Sequence, residues 1–424
     1  MITQPKYEIP QSVDSNLNPM KSTSITLRYL LVAVLMSTCT LVRAQEEEGT
    51  KTMDIYGFIM MDAGYNFNQI HPDWFDVVRP TKLPTYKNQY GTDGNFYFSV
   101  RQTRLGFKNY FDTPLGQLFT QFEFEMFGTG VDAGQTTIRL RHAYAELGQF
   151  GVGQYWSPFM DIDVFPNTVE YWGPNGMVFF RNVQFRWMPI KGDTRLTFAL
   201  ERPGASADQG EYAGRVELQG VTPRFRVPDL SGEFRKAIPI GYVEVGAITR
   251  LIEWEDNNTD QYDLSDRVIG WGINLSTNLK FGGGNDTFRG SVVYGKGIQN
   301  YMNDAPVDVG IESDPGNASA PIKGVALPMI GIVAFIDHTW SEKFTTAVGW
   351  SMLSIDNTDG QDDDAFHAGQ YAALNVMYYP VKNLMAGIEF QYGDRTNYRD
   401  DFNPSILKTQ FSFKYNFSQS FYKK

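Results

Sequence analysis

The segment FYFSVRQTRLGFKNYFDTPLGQLFTQFEFEMF, residues 96–127, decides the fold of this chain. In its second half, apolar or small residues alternate with polar ones: Leu118, Thr120, Phe122, Phe124 and Met126 against Gln121, Glu123 and Glu125. A period of two over about ten residues indicates a β-strand with an apolar face and a polar face. A soluble sandwich would bury the apolar face. A membrane barrel would turn it to lipid and point the charges at an aqueous interior.

The first half of this segment carries basic residues among aromatics, and a short turn at 111–116 joins the two halves. Its alternation slips by one residue between Arg101 and Leu105. The slip predicts a β-bulge near Gln102 and Thr103.

The same rhythm continues along the chain and predicts sixteen strands. Short turns are predicted at 111–116, 148–150, 189–193, 237–241, 282–286, 341–343 and 380–383. Longer acidic or Gly/Pro-rich segments are predicted at 68–94, 129–135, 157–177, 203–228, 254–266, 299–325, 356–368 and 395–405. Seven short turns and eight long segments imply an all-β fold, an antiparallel transmembrane β-barrel of sixteen strands with long external loops and short periplasmic turns. The eighth strand, 229–236, is the shortest and follows a Pro-rich stretch.

A secreted solenoid or large β-sandwich is the alternative. It is favoured by the mean hydropathy of −0.33. A wide barrel with a polar interior and polar loops lowers the mean hydropathy in the same way, and closure removes the exposed edges that an open sheet would leave. The barrel is therefore the preferred interpretation.

The N-terminus has the pattern of a secretory signal. Residues 20–28 have the character of a basic n-region, with Lys21 and Arg28, and residues 29–37 form a short apolar stretch. Val42-Arg43-Ala44 fits a cleavage site, which predicts a signal peptide over 1–44 with Met20 as an alternative start. A lipoprotein signal at Cys39 is disfavoured because Thr38 precedes it. A polar leader over 45–52 and a barrel over 53–424 complete the predicted organisation.

Charge and composition restrict the partners. Residues 1–44 hold four basic and two acidic residues, so the remainder has 33 basic and 46 acidic residues, a net charge of −13. This acidity disfavours nucleic acid as a partner. The chain has no run of about 18 apolar residues that would form a membrane-spanning helix. We expect outer-membrane lipid around the barrel, and no cofactor.

Arginines recur on alternate predicted strands, which suggests a basic wall facing the interior. They are Arg101 and Arg104 on the second strand, Arg139 and Arg141 on the fourth, Arg181 and Arg186 on the sixth, and Arg235 as a candidate on the eighth. Guanidinium groups stay ionised and bind carboxylates in a fork, which suits transient capture of small anions. Strand phase places Arg181 on the lipid side, above the membrane or beside a bulge. The alternative role for the others is structural pairing with Glu123 and Glu125.

The segment 157–177, SPFMDIDVFPNTVEYWGPNGM, is rich in large apolar residues for an exposed loop. Such loops are usually packed against something, so we expect it to fold into the barrel as a constriction. Asp161, Asp163 and Glu170 would then face the basic wall. Packing on a neighbouring subunit is the alternative.

Five motifs in this region are similar to those of a known family. RQTRLGF (101–107), IRLRHAYAEL (138–147), GVGQYWSPFMD (151–161), VFPNTVEYWGPNG (164–176) and RNVQFRW (181–187) resemble the DcaP-like family of trimeric outer-membrane porins. That family is akin in pattern to the phosphate-selective porins. The match covers roughly residues 53–190.

The resemblance implies a homotrimer that passes small hydrophilic solutes, preferably anions such as dicarboxylates. The six arginines from Arg101 to Arg186 match positions in these motifs. Two features depart from the family pattern. The leader is too short for the helical extension of some relatives, and Phe417 is not terminal, so either Phe417 or Phe421 with Tyr422 serves as the assembly signal.

An outer-membrane hydrolase and a loop-mediated adhesin remain the rival functions. A hydrolase needs a nucleophile or activated water beside a histidine. Among the four histidines only Asp337-His338 is suggestive, and neighbours on a strand point to opposite faces. The acidic clusters at 253–266, 312–314 and 362–364 lack the spacing of a dedicated calcium site, so no metal is expected.

Overall fold

The computed structural model of the protein describes residues 51–423. The predicted signal peptide and most of the leader lie outside these residues. The strands are β1 (Lys51–Asn66), β2 (Asn95–Ser99), β3 (Arg104–Thr113), β4 (Gly116–Phe127), β5 (Thr136–Leu147), β6 (Phe150–Trp156), β7 (Arg181–Ile190), β8 (Thr194–Glu201), β9 (Val221–Arg224), β10 (Asp229–Ile238), β11 (Gly241–Asp256), β12 (Asp266–Phe281), β13 (Asp286–Lys296), β14 (Val309–Ser313), β15 (Ile322–Ala326), β16 (Pro328–Ser341), β17 (Phe344–Ile355), β18 (Phe366–Tyr378), β19 (Leu384–Asn397) and β20 (Ser405–Lys423).

The helical elements are single 3₁₀ turns. They lie at Pro72–Trp74, Pro80–Lys82, Gly130–Asp132, Ile162–Val164, Gly210–Tyr212, Val216–Leu218, Gly282–Gly284 and Gln299–Tyr301. Across residues 51–423, no helix has the length and apolar character needed to span a membrane.

The predicted sixteen-strand antiparallel barrel is confirmed. Of the twenty strands, β14 and β15 form a separate loop hairpin, β9 pairs only with the outer end of β11, and β2 and β3 occupy one wall position, which leaves sixteen. The barrel closes because β1 pairs with β20 on one side and with β2 and β3 on the other. The eighth wall strand, predicted over 229–236, is β10.

The break between β2 and β3 is the predicted bulge. Asp62 of β1 pairs with Ser99, whereas Phe58 pairs with Arg104. Four residue steps along β1 therefore face five steps on the opposite strand, and one extra residue is accommodated. The consequence is that Arg101 lies in the irregular stretch between two strand segments.

Strand faces follow the inverted pattern on one half of the barrel. On β4, Gln121, Glu123 and Glu125 are buried inside, whereas the neighbouring Phe122 is 49% exposed on the outer surface. On β20, Lys408, Gln410 and Ser412 are buried, while Phe411 and Phe413 are exposed. Rings turned outward and charges turned inward are the arrangement of a membrane barrel.

The other half of the barrel departs from a purely polar interior. Inward residues of β16 are Met329, Val333 and Phe335, all buried, although the outer face of this strand is also apolar. They pack against the segment 157–177, whose Phe159, Val164 and Met177 belong to the same two hydrophobic clusters. Simple alternation fails here because this wall supports a packed segment and has no contact with water.

Gly176 shows how close this packing is. A Cβ atom at this position would lie 2.0 Å from the backbone oxygen of Met352, so the segment approaches the wall backbone to backbone. A side chain here would push the segment away from β16 and β17.

Candidate functional site

A cluster of arginines surrounds one carboxylate on the polar half of the interior. Glu125 of β4 lies 2.5 Å from Arg141 and 3.4 Å from Arg104. Arg139 and Arg181 lie 3.6 Å and 3.7 Å from its other oxygen. We call Arg104, Arg139, Arg141, Arg181, Glu123 and Glu125 the arginine cluster. Four guanidinium groups and two carboxylates give it a net charge of +2.

The members of the arginine cluster differ in accessibility. Arg139 and Arg104 keep 30% and 23% of their side-chain surface exposed, whereas Arg141 and Arg181 keep only 4% and 5%. Arg141 also lies 2.6 Å from Glu123. Arg141 is therefore a structural pair of the two glutamates, and Arg139 and Arg104 present positive charge to solvent.

Strand phase was wrong for Arg181. It begins β7, and its side chain turns inward to the arginine cluster, with its guanidinium 5.2 Å from the ring centre of Trp156. Its Nη1 atom is buried and has no hydrogen-bond partner among the described residues. Strand alternation did not predict this inward orientation, because the first residue of a strand takes its side-chain direction from the preceding loop.

Three other predicted wall arginines lie elsewhere. Arg101 is buried, 2.7 Å from Asp76, and it anchors the segment 68–94. Arg186 donates to Gln184 and lies 5.0 Å from the ring centre of Tyr155. The candidate on the eighth strand, Arg235, pairs with Asp163 at 2.6 Å. The structure therefore gathers four of the seven arginines around Glu125.

The segment 157–177 lies inside the barrel and touches walls on several sides. The Asn175 side chain donates to the Gly369 carbonyl at 2.9 Å, and the Val169 amide donates to Glu389 at 3.0 Å. On the opposite side, the Tyr171 ring stacks on Phe127 with a centroid distance of 4.0 Å, and its hydroxyl donates to Glu125. The segment thus reaches from β18 and β19 to the arginine cluster.

The three carboxylates of this segment do not line up against the arginine cluster. Asp161 accepts hydrogen bonds from Tyr242 and Ser276, and Asp163 pairs with Arg235. Glu170 accepts from the backbone amides of Val78 and Gly173, so the expectation that it faces the arginines is wrong. Its burial raises the pKa of the Glu170 carboxyl to about 7.

Two further segments, 68–94 and 299–325, fold inward, which was not predicted from the sequence. Arg79 of segment 68–94 lies between Trp74 and Trp172, 4.1 Å from each ring centre. Its Nε atom donates to Asp304 at 2.8 Å. This contact joins segments 68–94, 157–177 and 299–325. The sequence carried a signal for the inward fold of segment 68–94, namely the closely spaced apolar residues Trp74, Val77 and Val78. A similar density of apolar residues predicted that segment 157–177 folds inward.

These segments enclose a cavity of about 290 Å³ at the long-loop end of the barrel. Arg79, Arg139 and Arg181 line it, together with aromatic side chains that include Trp172 and Phe179. The cavity is therefore bounded by two members of the arginine cluster, the partly exposed Arg139 and the buried Arg181.

The histidines do not form a catalytic arrangement with Asp337. His338 lies 2.6 Å from Asp286, while Asp337 pairs with Arg289 at 2.5 Å. Within residues 51–423, no group of three or more His, Cys, Asp or Glu side chains could hold a metal ion.

Comparison with known proteins agrees with this architecture. The family described as DcaP outer membrane protein matches residues 38–302, more than half of the chain. The outer membrane channel DcaP of Acinetobacter baumannii superimposes with a TM-score of 0.71 and 19% identity, over 88% of this chain and 99% of its own. No curated protein matches the sequence.

Two other outer-membrane proteins share the fold at lower similarity. An anion-selective porin from Comamonas acidovorans gives a TM-score of 0.56 at 9% identity, over 87% of this chain and 100% of its own. The trimer form of OmpT from Vibrio cholerae gives 0.53 at 11% identity, over 87% and 99%. The chain belongs to the DcaP outer membrane protein family and is a porin of the bacterial outer membrane.

Proposed function

We propose that this porin passes small hydrophilic solutes by passive diffusion and prefers anions, in particular dicarboxylates. The net charge of +2 on the arginine cluster carries the proposal, because it lies where inward segments narrow the interior. A fixed charge at a constriction raises the local concentration of ions of opposite sign. The acidity of the chain as a whole does not oppose this preference, since much of it lies in the long loops.

The preference for two carboxylates rests on the spacing of the exposed arginines. Arg104 and Arg139 each approach Glu125 within 3.6 Å, so their guanidinium groups are close to each other. A solute with two carboxylates can engage both groups at once, whereas a monocarboxylate engages one.

We further propose that the barrel works as a homotrimer in outer-membrane lipid, without enzymatic activity. The support is the family membership and the trimer form of the Vibrio cholerae neighbour. Closure of the open channel in three equal conductance steps would be the expected behaviour of a trimer.

Reversal potentials in planar bilayers under a KCl gradient test the selectivity. The wild type should favour chloride, and Arg104→Gln with Arg139→Gln should remove most of the preference because it removes two positive charges. The control is Arg224→Gln with Arg267→Gln, which removes two exposed charges at the outer ends of strands. A wild type that favours potassium, or a double variant with unchanged selectivity, contradicts the proposal.

A further inference from the structure

Aromatic rings form a continuous row along the polar half of the interior wall. We call this row the aromatic ladder; its members are Tyr110, Phe119, Tyr144, Tyr155, Trp156 and Phe179. Tyr110 and Phe119 are 5.2 Å apart between ring centres, and Phe119 and Tyr144 are 6.4 Å apart. Tyr144 and Tyr155 stack at 4.4 Å with an interplanar angle of 22°.

The aromatic ladder runs the length of the wall. His142 bridges Tyr155 and Trp156, at 4.7 Å and 4.8 Å between ring centres. Trp156 then lies 5.3 Å from Phe179, which lines the cavity at the long-loop end. At the other end, Tyr110 lies beside the short turn between β3 and β4. The row therefore connects the two ends of the barrel.

A glycine in β6 fixes the pose of one central ring. A Cβ atom on Gly151 would lie 1.9 Å from the hydroxyl oxygen of Tyr144, so glycine is needed for this close approach to the neighbouring strand. The hydroxyl donates to Glu146 at 2.9 Å. The ring is thus held against β6 at its hydroxyl end.

Structural packing alone does not account for this row. On the opposite wall, aromatic and aliphatic side chains are buried under the segment 157–177, as Phe335 and Tyr371 are. In the aromatic ladder, Tyr110, Phe119 and Tyr155 keep part of their surface exposed. Partly exposed rings in a wall that is otherwise polar are available to a solute.

Polar groups of both kinds accompany the exposed rings. Glu146 and Gln121 lie on the same inner face, and Arg186 lies 5.0 Å from the ring centre of Tyr155. A sugar ring has apolar C–H faces and hydroxyl groups along its edge, so it can stack on a ring and exchange hydrogen bonds with such neighbours. An open-chain solute has no flat face to stack.

We propose that the aromatic ladder binds cyclic sugars in transit, and that sugar acids with a closed ring, the hexuronate class, bind best. This inference rests on the proposed anion preference, because the carboxylate of the sugar acid would be attracted to the arginine cluster while its ring stacks on the aromatic ladder.

Blockage of single-channel current by added solute tests the inference. Glucuronate and gluconate carry the same charge and similar numbers of hydroxyl groups, but gluconate is an open chain. We expect glucuronate to block the wild-type channel about tenfold longer than gluconate, as stacking on one or two rings would give. Phe119→Leu with Tyr155→Leu should bring the ratio close to one. The matched control is Phe122→Leu, on the outer face of the same strand as Phe119.

Equal blockage by glucuronate and gluconate in the wild type would overturn the inference, as would an unchanged ratio in the double variant. Benzoate blocking as long as glucuronate would assign the aromatic ladder to aromatic acids and refute the sugar assignment. Tyr155→Phe keeps the ring and should keep the ratio, and heat-modified migration in detergent gels verifies that the leucine variant forms a closed barrel. Chloride preference, measured in the same membranes, separates the two proposals. If the wild type prefers chloride but is blocked equally long by glucuronate and gluconate, only the proposal of sugar binding on the aromatic ladder is rejected.

Discussion

Glu125→Gln provides the sharpest test of the arginine cluster. Glutamine has nearly the same shape as glutamate but no charge, so the net charge of the cluster rises from +2 to +3. The amide oxygen can still accept a hydrogen bond from Arg141, while the NH2 group, which takes the place of the other oxygen, can donate to the Tyr171 hydroxyl. Anion preference should therefore increase in a channel whose width is little changed.

The size of the increase follows from Coulomb's law. A unit charge about 7 Å from a passing ion changes its energy by about 0.6 kcal/mol in water, and salt near 0.1 M roughly halves this. The added positive charge lowers the energy of chloride and raises that of potassium by the same amount. The chloride-to-potassium permeability ratio should therefore rise about threefold.

The assay is the reversal potential in planar bilayers under a KCl gradient. Glu255→Gln is the matched control, because Glu255 is half-exposed and pairs with Arg224 at the outer end of β11. Heat-modified migration in detergent gels verifies that the barrel is closed. An unchanged ratio, or a shift towards potassium in a properly closed barrel, would refute the reasoning.

Three further predictions address the fold around the site. Gly151→Val should destabilise the barrel by lowering its heat-modification temperature, because the new side chain overlaps Tyr144; Gly214→Val, at a loop position with open space around it, distinguishes this clash from a general effect of losing a glycine. The folded pKa of Glu170, about 7, lies above its ordinary 4.5, so its contribution to stability is complete below pH 4.5 and is lost as pH rises through 7. Proteolysis of the inward segment should accordingly be faster at pH 8 than at pH 5, and Glu170→Gln should flatten this dependence. Phe122→Arg should impair insertion by about 2–4 kcal/mol, read as a loss of heat-modifiable barrel, whereas the same change at the inward-facing Gln121 should be tolerated better.

The sequence predicted the barrel well because each strand carries its own signal. The alternation in β4 requires opposite environments for Phe122 and Glu123, and turn lengths then determine the number of strands. The site was harder to predict. Arg101 and Arg104 are three residues apart, yet one anchors a loop and the other joins the arginine cluster, because a bulge separates them.

Contacts between distant segments were not readable from the chain. Nothing local indicates that Arg79 lies between Trp74 and Trp172, since the two tryptophans are far apart in sequence. Glu170 was misassigned for the same reason: its partners are backbone amides, which every residue except proline carries. The apolar content of a long loop predicts that it is buried. It does not predict where in the barrel the loop lies or which residues it contacts.

The apolar inner wall of β16 has a consequence for how pore size can change in this family. The number of strands sets only the outer diameter of the barrel. The free cross-section of the pore is what remains after the segment 157–177 has occupied one side of the interior. Shortening or loosening that segment would uncover Met329, Val333 and Phe335 to water. A wider pore therefore requires changes on two surfaces together, the inward segment and the wall beneath it.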